Sequence, residues 1–113
     1  MPATLPPEAC TTMTQVREGV DVLDAQLVAL LAMRFGYMRA ASQIKSDRAA
    51  VRDEDRKAAV IAAACREAEA RGLPPQAIAD VWERLVEASI AYELALFDAR
   101  IAAVSNEPTR APA

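Results

Sequence analysis

The fold is decided by residues 12–45, which read TMTQVREGVDVLDAQLVALLAMRFGYMRAASQIK and contain no proline. Thr12 is followed three residues later by Gln15, a spacing typical of a capping box at the start of a helix. A helix of about 32 residues is about 48 Å long, whereas a compact domain of this size has a radius of gyration of about 13 Å. One such domain cannot cover the helix from end to end, so we expect it to interlock with a second copy of the chain.

Start and stop signals divide the chain into three helices, long, short and long. The second helix is expected to begin at Asp53, a good N-cap, and to end at Arg71, just before Gly72. The third is expected to run from about Gln76 to Ile101. The domain organisation is then a flexible arm at residues 1–10, a helical domain at 11–104 and a flexible tail at 105–113.

Composition and charge exclude several classes of protein. Hydrophobic residues make up 53% of the 113 residues and aromatic residues only 4%, which favours an all-α fold over strands. The net charge of −3 gives no basic field for nucleic acid or anionic lipid. There is no histidine, and Cys10 and Cys65 are far apart, so we expect no metal site. Without a secretory signal or a membrane-spanning run, we expect a cytoplasmic protein with no membrane partner.

Polar residues interrupt the apolar faces of the two long helices. Arg34 stands where the first helix should be apolar, and Lys45 follows eleven residues later on nearly the same face. On the third helix Ser89 and Glu93 are one turn apart. The apolar members of these faces are Val20, Leu23, Leu27, Leu30, Tyr37, Ala41 and Ile44 on the first helix and Trp82, Val86, Leu96 and Phe97 on the third.

These interruptions have a structural and a functional interpretation, and the pattern leaves both open. In the structural one, Arg34 and Glu93 form a buried salt bridge and Lys45 reaches solvent at the helix end. In the functional one, the polar residues line a pocket suited to a small dianion. Arg17 lies seventeen residues before Arg34 and is rotated about 100° from it, so it would more easily serve such a pocket on a partner chain.

Over residues 9–100 the chain resembles the all-helical chorismate mutase family. The resemblance rests on Arg17-Glu18 with Asp24, on LVALLAMR at 27–34, on the step from Arg34 to Lys45, on VRDEDR at 51–56, and on Ser89 with Glu93. It implies an intertwined homodimer of long-short-long protomers with two active sites. The implied activity is the rearrangement of chorismate to prephenate, in the shikimate pathway to aromatic amino acids.

The resemblance also implies a role for each matching residue. Arg34 and Arg17 of the partner would bind the two carboxylates of the substrate. Lys45 would donate to the ether oxygen of the breaking bond. Glu93 stands where many members carry Gln and some carry Glu. The rest of the substrate site would be lined by Asp53, Arg56 and Ser89.

The implied reaction is pericyclic, so we expect no cofactor, and it fits a chain without histidine. It needs a pocket that holds the folded conformer of the substrate, together with donors aimed at the oxygen where negative charge develops. An ionised carboxylate cannot donate to that oxygen, so we predict that Glu93 acts as a protonated acid. Activity should then fall as the pH rises, and Glu93→Gln should flatten that dependence.

One departure from the family pattern keeps a second activity open. Lys57 stands where chorismate mutases often carry an acidic residue for the substrate hydroxyl. The same fold serves isochorismate-pyruvate lyases of siderophore-type pathways, which the chain resembles in PEACT at 7–11, at Tyr37 and in RAAS at 39–42. We therefore expect a chorismate mutase, with a lyase that makes salicylate and pyruvate as the alternative and a non-catalytic helical dimer as a third reading.

Overall fold

A computed structural model describes residues 4–105, so residues 1–3 of the expected arm and 106–113 of the expected tail lie outside the description. Every regular element within residues 4–105 is helical, and none is a strand. The elements are a 3-10 turn at Pro7–Ala9, α1 at Met13–Ile44, a 3-10 turn at Arg48–Ala50, α2 at Glu54–Ala70 and α3 at Pro75–Ser105. The predicted all-α fold with helices in the order long, short, long is confirmed.

The caps that the sequence predicted account for where the helices begin. At the start of α1 the Gln15 side chain accepts from Thr12 N at 3.1 Å, and Gln15 N donates to Thr12 Oγ1 at 3.2 Å. At the start of α2 the Asp53 carboxylate accepts from Arg56 N at 2.9 Å. Gly72 follows the end of α2 with φ of +71°, a left-handed conformation that glycine adopts without a steric penalty.

Two segments have more helical structure than the sequence suggested. Helix α3 ends at Ser105 rather than near Ile101, because residues 102–104 contain neither Gly nor Pro and extend the helix by another turn. In the expected arm, residues 7–9 form a 3-10 turn. Flexibility of the arm and tail in solution stays a prediction.

The chain divides into two compact units within α1, between Gly36 and Tyr37. In the second unit α2 packs against α3, and the core is formed by Val51, Val86 and Ile90. Phe97 is also buried on α3. Most of the stripe predicted for the third helix is therefore buried, although Trp82 and Leu96 are only half-buried and the buried Ile90 was not part of the prediction.

In the first unit α1 leaves its predicted seam open to solvent. Val20, Leu23, Leu27 and Leu30 are between 48% and 61% exposed. Apolar side chains repeated on one face of a helix are normally covered by another element.

Among residues 4–105 no helix is long and apolar enough to cross a membrane.

Candidate active site

Lys45 and Glu93 form an ion pair in the second unit. Lys45 directly follows the last residue of α1, and Glu93 lies on the buried face of α3 with only 4% of its surface exposed. Lys45 Nζ lies 2.7 Å from Glu93 Oε2, and the lysine side chain is 28% exposed. Lys45 does not simply extend into solvent, so the structural interpretation was wrong on this point.

The contact between these two groups is ionic, and it lacks the geometry of a hydrogen bond at Glu93 Oε2. Glu93 Oε2 is fully buried and accepts no well-oriented hydrogen bond from the described part of the chain, although Lys45 Nζ is near. The 2.7 Å approach is therefore electrostatic attraction without the geometry of a directed hydrogen bond. Buried polar atoms in this condition are uncommon in folded proteins. Glu93 Oε2 is thus paired with Lys45 by charge.

Ser89 lies one turn before Glu93 on the same face of α3. It is 3% exposed, and its Oγ donates to Leu85 O at 2.7 Å. The sequence placed Ser89 and Glu93 side by side on one stripe, and the burial of both residues confirms that placement.

The end of α1 is held by Arg100, which the sequence pattern did not single out. Arg100 Nε donates to Ser42 O at 3.1 Å, and an Nη of the same guanidinium donates to Lys45 O at 2.7 Å. Arg39 donates to the hydroxyl of Tyr92 at 3.0 Å. The last turn of α1 contains no basic residue, so its final carbonyls need donors from elsewhere. That need was visible in the sequence, but the donor was not.

The predicted site residues Asp53 and Arg56 are placed by the start of α2. Asp53 is the N-cap whose carboxylate binds Arg56 N. The Arg56 side chain lines a groove of about 560 Å³ between α2 and α3, together with Trp82 and small apolar residues of α2. Neither Lys45 nor Glu93 lines this groove. Most of the residues that line it are apolar.

The two remaining predicted site residues lie on α1 in the first unit. Arg17 is exposed near the start of the helix, and Arg34 is half-buried near the end of the unit. Their expected role in binding carboxylates, with Arg17 acting in the site of a partner, stays a prediction.

Lys57, the departure from the family pattern, is held by carboxylates of α3. Its Nζ lies 2.6 Å from Glu83 and 3.4 Å from Glu87, and Arg52 contacts Glu87 at 3.0 Å. The hydrogen bond to Glu83 raises the pKa of Lys57. The hydrogen bond from Arg52, aided by Lys57, lowers the pKa of Glu87. Lys57 therefore fastens α2 to α3, a role that a residue of opposite charge could not fill here.

Sequence comparison relates the chain to known proteins. Residues 16–94 match the family model for chorismate mutase type II. The chain is 32% identical over 88 residues to an isochorismate pyruvate lyase of Pseudomonas aeruginosa, covering 78% of this chain and 87% of that protein. It is 33% identical over 82 residues to a T-protein of Enterobacter agglomerans, covering 72% of this chain and 22% of that protein. The chain belongs to the chorismate mutase type II family.

Proposed function

We propose that this protein is a chorismate mutase, an isomerase that converts chorismate to prephenate in aromatic amino acid biosynthesis in the cytoplasm. The observation that supports the proposal best is the Lys45–Glu93 pair. A cation and a buried carboxyl lie 2.7 Å apart in an all-α protein of this family. The reaction requires polar groups fixed around a small dianion, and this pair supplies two of them.

The proposed chemistry is carried by placement and electrostatics. In the rearrangement the ether C–O bond breaks while a C–C bond forms, and negative charge develops on the ether oxygen. The ammonium of Lys45 donates to that oxygen, which stabilises the transition state more than the ground state. Arg34 and Arg17 of the partner bind the two carboxylates and hold the substrate in its folded conformer, which lowers the entropic part of the barrier. Asp53, Arg56 and Ser89 are proposed to complete the substrate site, and Arg56 must turn to it from the groove beside Trp82.

Glu93 is proposed to act as a second donor in its protonated form. In that role the Lys45 ammonium, which lies 2.7 Å from Glu93 in the structure, turns to the ether oxygen, and protonated Glu93 donates a hydrogen bond to the same oxygen. Because only the protonated form donates, kcat should fall as the pH rises. Glu93→Gln keeps a donor at every pH and should flatten the profile. A profile that Glu93→Gln leaves unchanged would rule out this role.

The proposal includes a homodimer in which each copy completes the site of the other. It is supported by the exposed seam of α1, since Leu23, Leu27 and Leu30 are each more than half exposed in one chain. Burying such side chains against a second copy gains about 25 cal/mol for each Å² of apolar surface removed from water.

A second candidate function is isochorismate-pyruvate lyase. The specific observation in its favour is the 32% identity to the isochorismate pyruvate lyase, which extends over 87% of that protein. The product pair would be salicylate and pyruvate. A positioned Lys45 and a carboxylate-binding arginine pair would suit this reaction as well, since its substrate is also a small dianion.

One purified sample given each substrate separately distinguishes the candidates. Formation of prephenate from chorismate as the faster reaction supports the mutase, whereas faster formation of pyruvate and salicylate from isochorismate supports the lyase. Turnover of neither substrate would overturn both and favour a non-catalytic helical dimer. Lys45→Ala should lower kcat for the true substrate by about 100-fold or more. The matched control is Arg48→Ala, which removes only an exposed pair with Asp98 and should leave kcat within about twofold.

A further inference from the structure

Arg100 binds the backbone of the residue that the proposed function places at the reacting bond. One guanidinium donates to two carbonyls at the end of α1, Ser42 O at 3.1 Å and Lys45 O at 2.7 Å. The guanidinium carbon also lies 5.0 Å from the centre of the Phe97 ring, which is 4% exposed. Stacking on a buried ring and bonding to two acceptors fixes the arginine itself.

The end of α1 has a particular need for this contact. The last carbonyls of a helix have no partners within the helix and carry the negative end of its dipole. Lys45 N still donates to Ala41 O at 3.0 Å, so Lys45 continues the helical pattern by one residue. No residue in the last turn of α1 is basic. The ammonium of Lys45 lies against Glu93, so it is Arg100 of α3 that supplies donors to these carbonyls.

The same face of α3 contacts both the ammonium and the backbone carbonyl of Lys45. Glu93, Phe97 and Arg100 are spaced four and three residues apart, so they follow one another along one side of the helix. Glu93 lies against the lysine ammonium, and Arg100 binds the lysine carbonyl. The side chain and the backbone of Lys45 are therefore both held by contacts from the same helix, α3.

We infer that Arg100 is a positioning residue, which sets the place of the Lys45 ammonium by holding the end of α1 against α3. The inference rests on the proposed function, because it gives Lys45 its role at the ether oxygen. Arg100 contacts backbone carbonyls rather than substrate, so it acts through Lys45. A small displacement of a donor in a site of this kind lowers the rate without abolishing it.

The test is steady-state kinetics of the full-length protein with whichever substrate it turns over. Arg100→Ala should lower kcat by about tenfold and leave KM within about twofold, because the lost stabilisation belongs to the transition state. Arg100→Lys should recover part of the loss, since one ammonium can serve one of the two carbonyls. Arg48→Ala, the matched loss of an arginine bonded to α3 through Asp98, should leave kcat within about twofold.

A double variant separates positioning from general stability. If Arg100 acts through Lys45, adding Arg100→Ala to Lys45→Ala should lower kcat by less than about twofold more. A purely structural role would instead let the two losses multiply. Circular dichroism and thermal melting verify that the variants are folded, and Arg100→Gln, which keeps one neutral donor, replaces Arg100→Ala if the latter does not fold.

The outcomes lead to separate conclusions. An unchanged kcat in the folded Arg100 variant, or losses that multiply in the double variant, would overturn the positioning role while leaving the proposed function intact. A wild-type protein that turns over neither chorismate nor isochorismate would overturn the proposed function, and this inference with it. A loss of kcat of about tenfold in Arg100→Ala, which disappears when Lys45→Ala is also present, would establish the role.

Discussion

Two apolar stripes of the same kind have opposite surroundings in this chain. On α1, Leu27 and Leu30 are 55% and 61% exposed, whereas on α3 Ile90 and Phe97 are almost fully buried. Both stripes follow helical spacing. The α3 stripe is covered within its own unit, where α2 packs against α3 and Val51 joins the core. The comparison teaches that periodicity reveals which face of a helix must be covered, but not whether the cover belongs to the same chain.

The largest expected effect comes from removing a side chain of the buried stripe. Phe97→Ala should lower the free energy of unfolding by about 3–5 kcal/mol, because it leaves a cavity and removes the ring beneath Arg100. The matched control on the same helix is Ile101→Ala, which should cost about 1 kcal/mol or less since Ile101 is partly exposed. Urea unfolding measures both, and equal losses would contradict the burial of the stripe.

A smaller effect is expected on the exposed stripe, and it sharpens the comparison. If a second copy covers α1, Leu27→Ala should cost about 2 kcal/mol, as for a buried leucine, and the melting temperature should depend on protein concentration. Glu18→Ala, on the opposite face of α1, should change the stability by about 0.5 kcal/mol or less. If Leu27→Ala were as mild as Glu18→Ala, with melting independent of concentration, α1 would have no such cover.

The smallest effect concerns the partly exposed ion pair between Arg52, just before α2, and Glu87 of α3. Arg52 holds the pKa of Glu87 below its ordinary value of 4.5. Glu87 therefore adds stability above that pH, and the contribution is lost as the pH falls through the lower pKa of the folded state. Glu87→Gln should make the acid-induced loss of stability shallower below pH about 4.5.

Thermal melting at about five pH values between about pH 3 and about pH 7 measures this dependence. The control is Glu67→Gln, which alters only an exposed pair with Arg71 within α2 and should leave the acid limb unchanged. An identical acid limb in wild type and Glu87→Gln would contradict the role assigned to the Arg52–Glu87 contact.

Local features of the fold could be predicted from the sequence because they depend on neighbouring residues. The capping box of Thr12 and Gln15, the N-cap at Asp53 and the shared stripe of Ser89 and Glu93 all follow from spacings of three or four residues. Each is present in the structure.

Features that depend on packing between distant segments were harder to predict. One interpretation of the sequence had Lys45 reach solvent at the end of the helix, but Lys45 contacts Glu93. Arg100 was missed because nothing local reveals that a residue 55 positions after Lys45 binds its carbonyl. Such pairings are fixed by how α3 approaches the end of α1, which spacing along the chain does not encode.

The central claim is that a second copy covers α1 and completes the active site with its Arg17. It is tested most directly by mixing Arg17→Ala and Arg34→Ala protomers, each inactive alone, under conditions that exchange subunits. A mixed dimer would contain one intact site and one doubly altered site, so about a quarter of the wild-type sites should recover after random mixing. Each variant exchanged with itself should stay inactive. Recovery of activity near that level is the predicted result, and mixed dimers without any recovery would contradict the shared site.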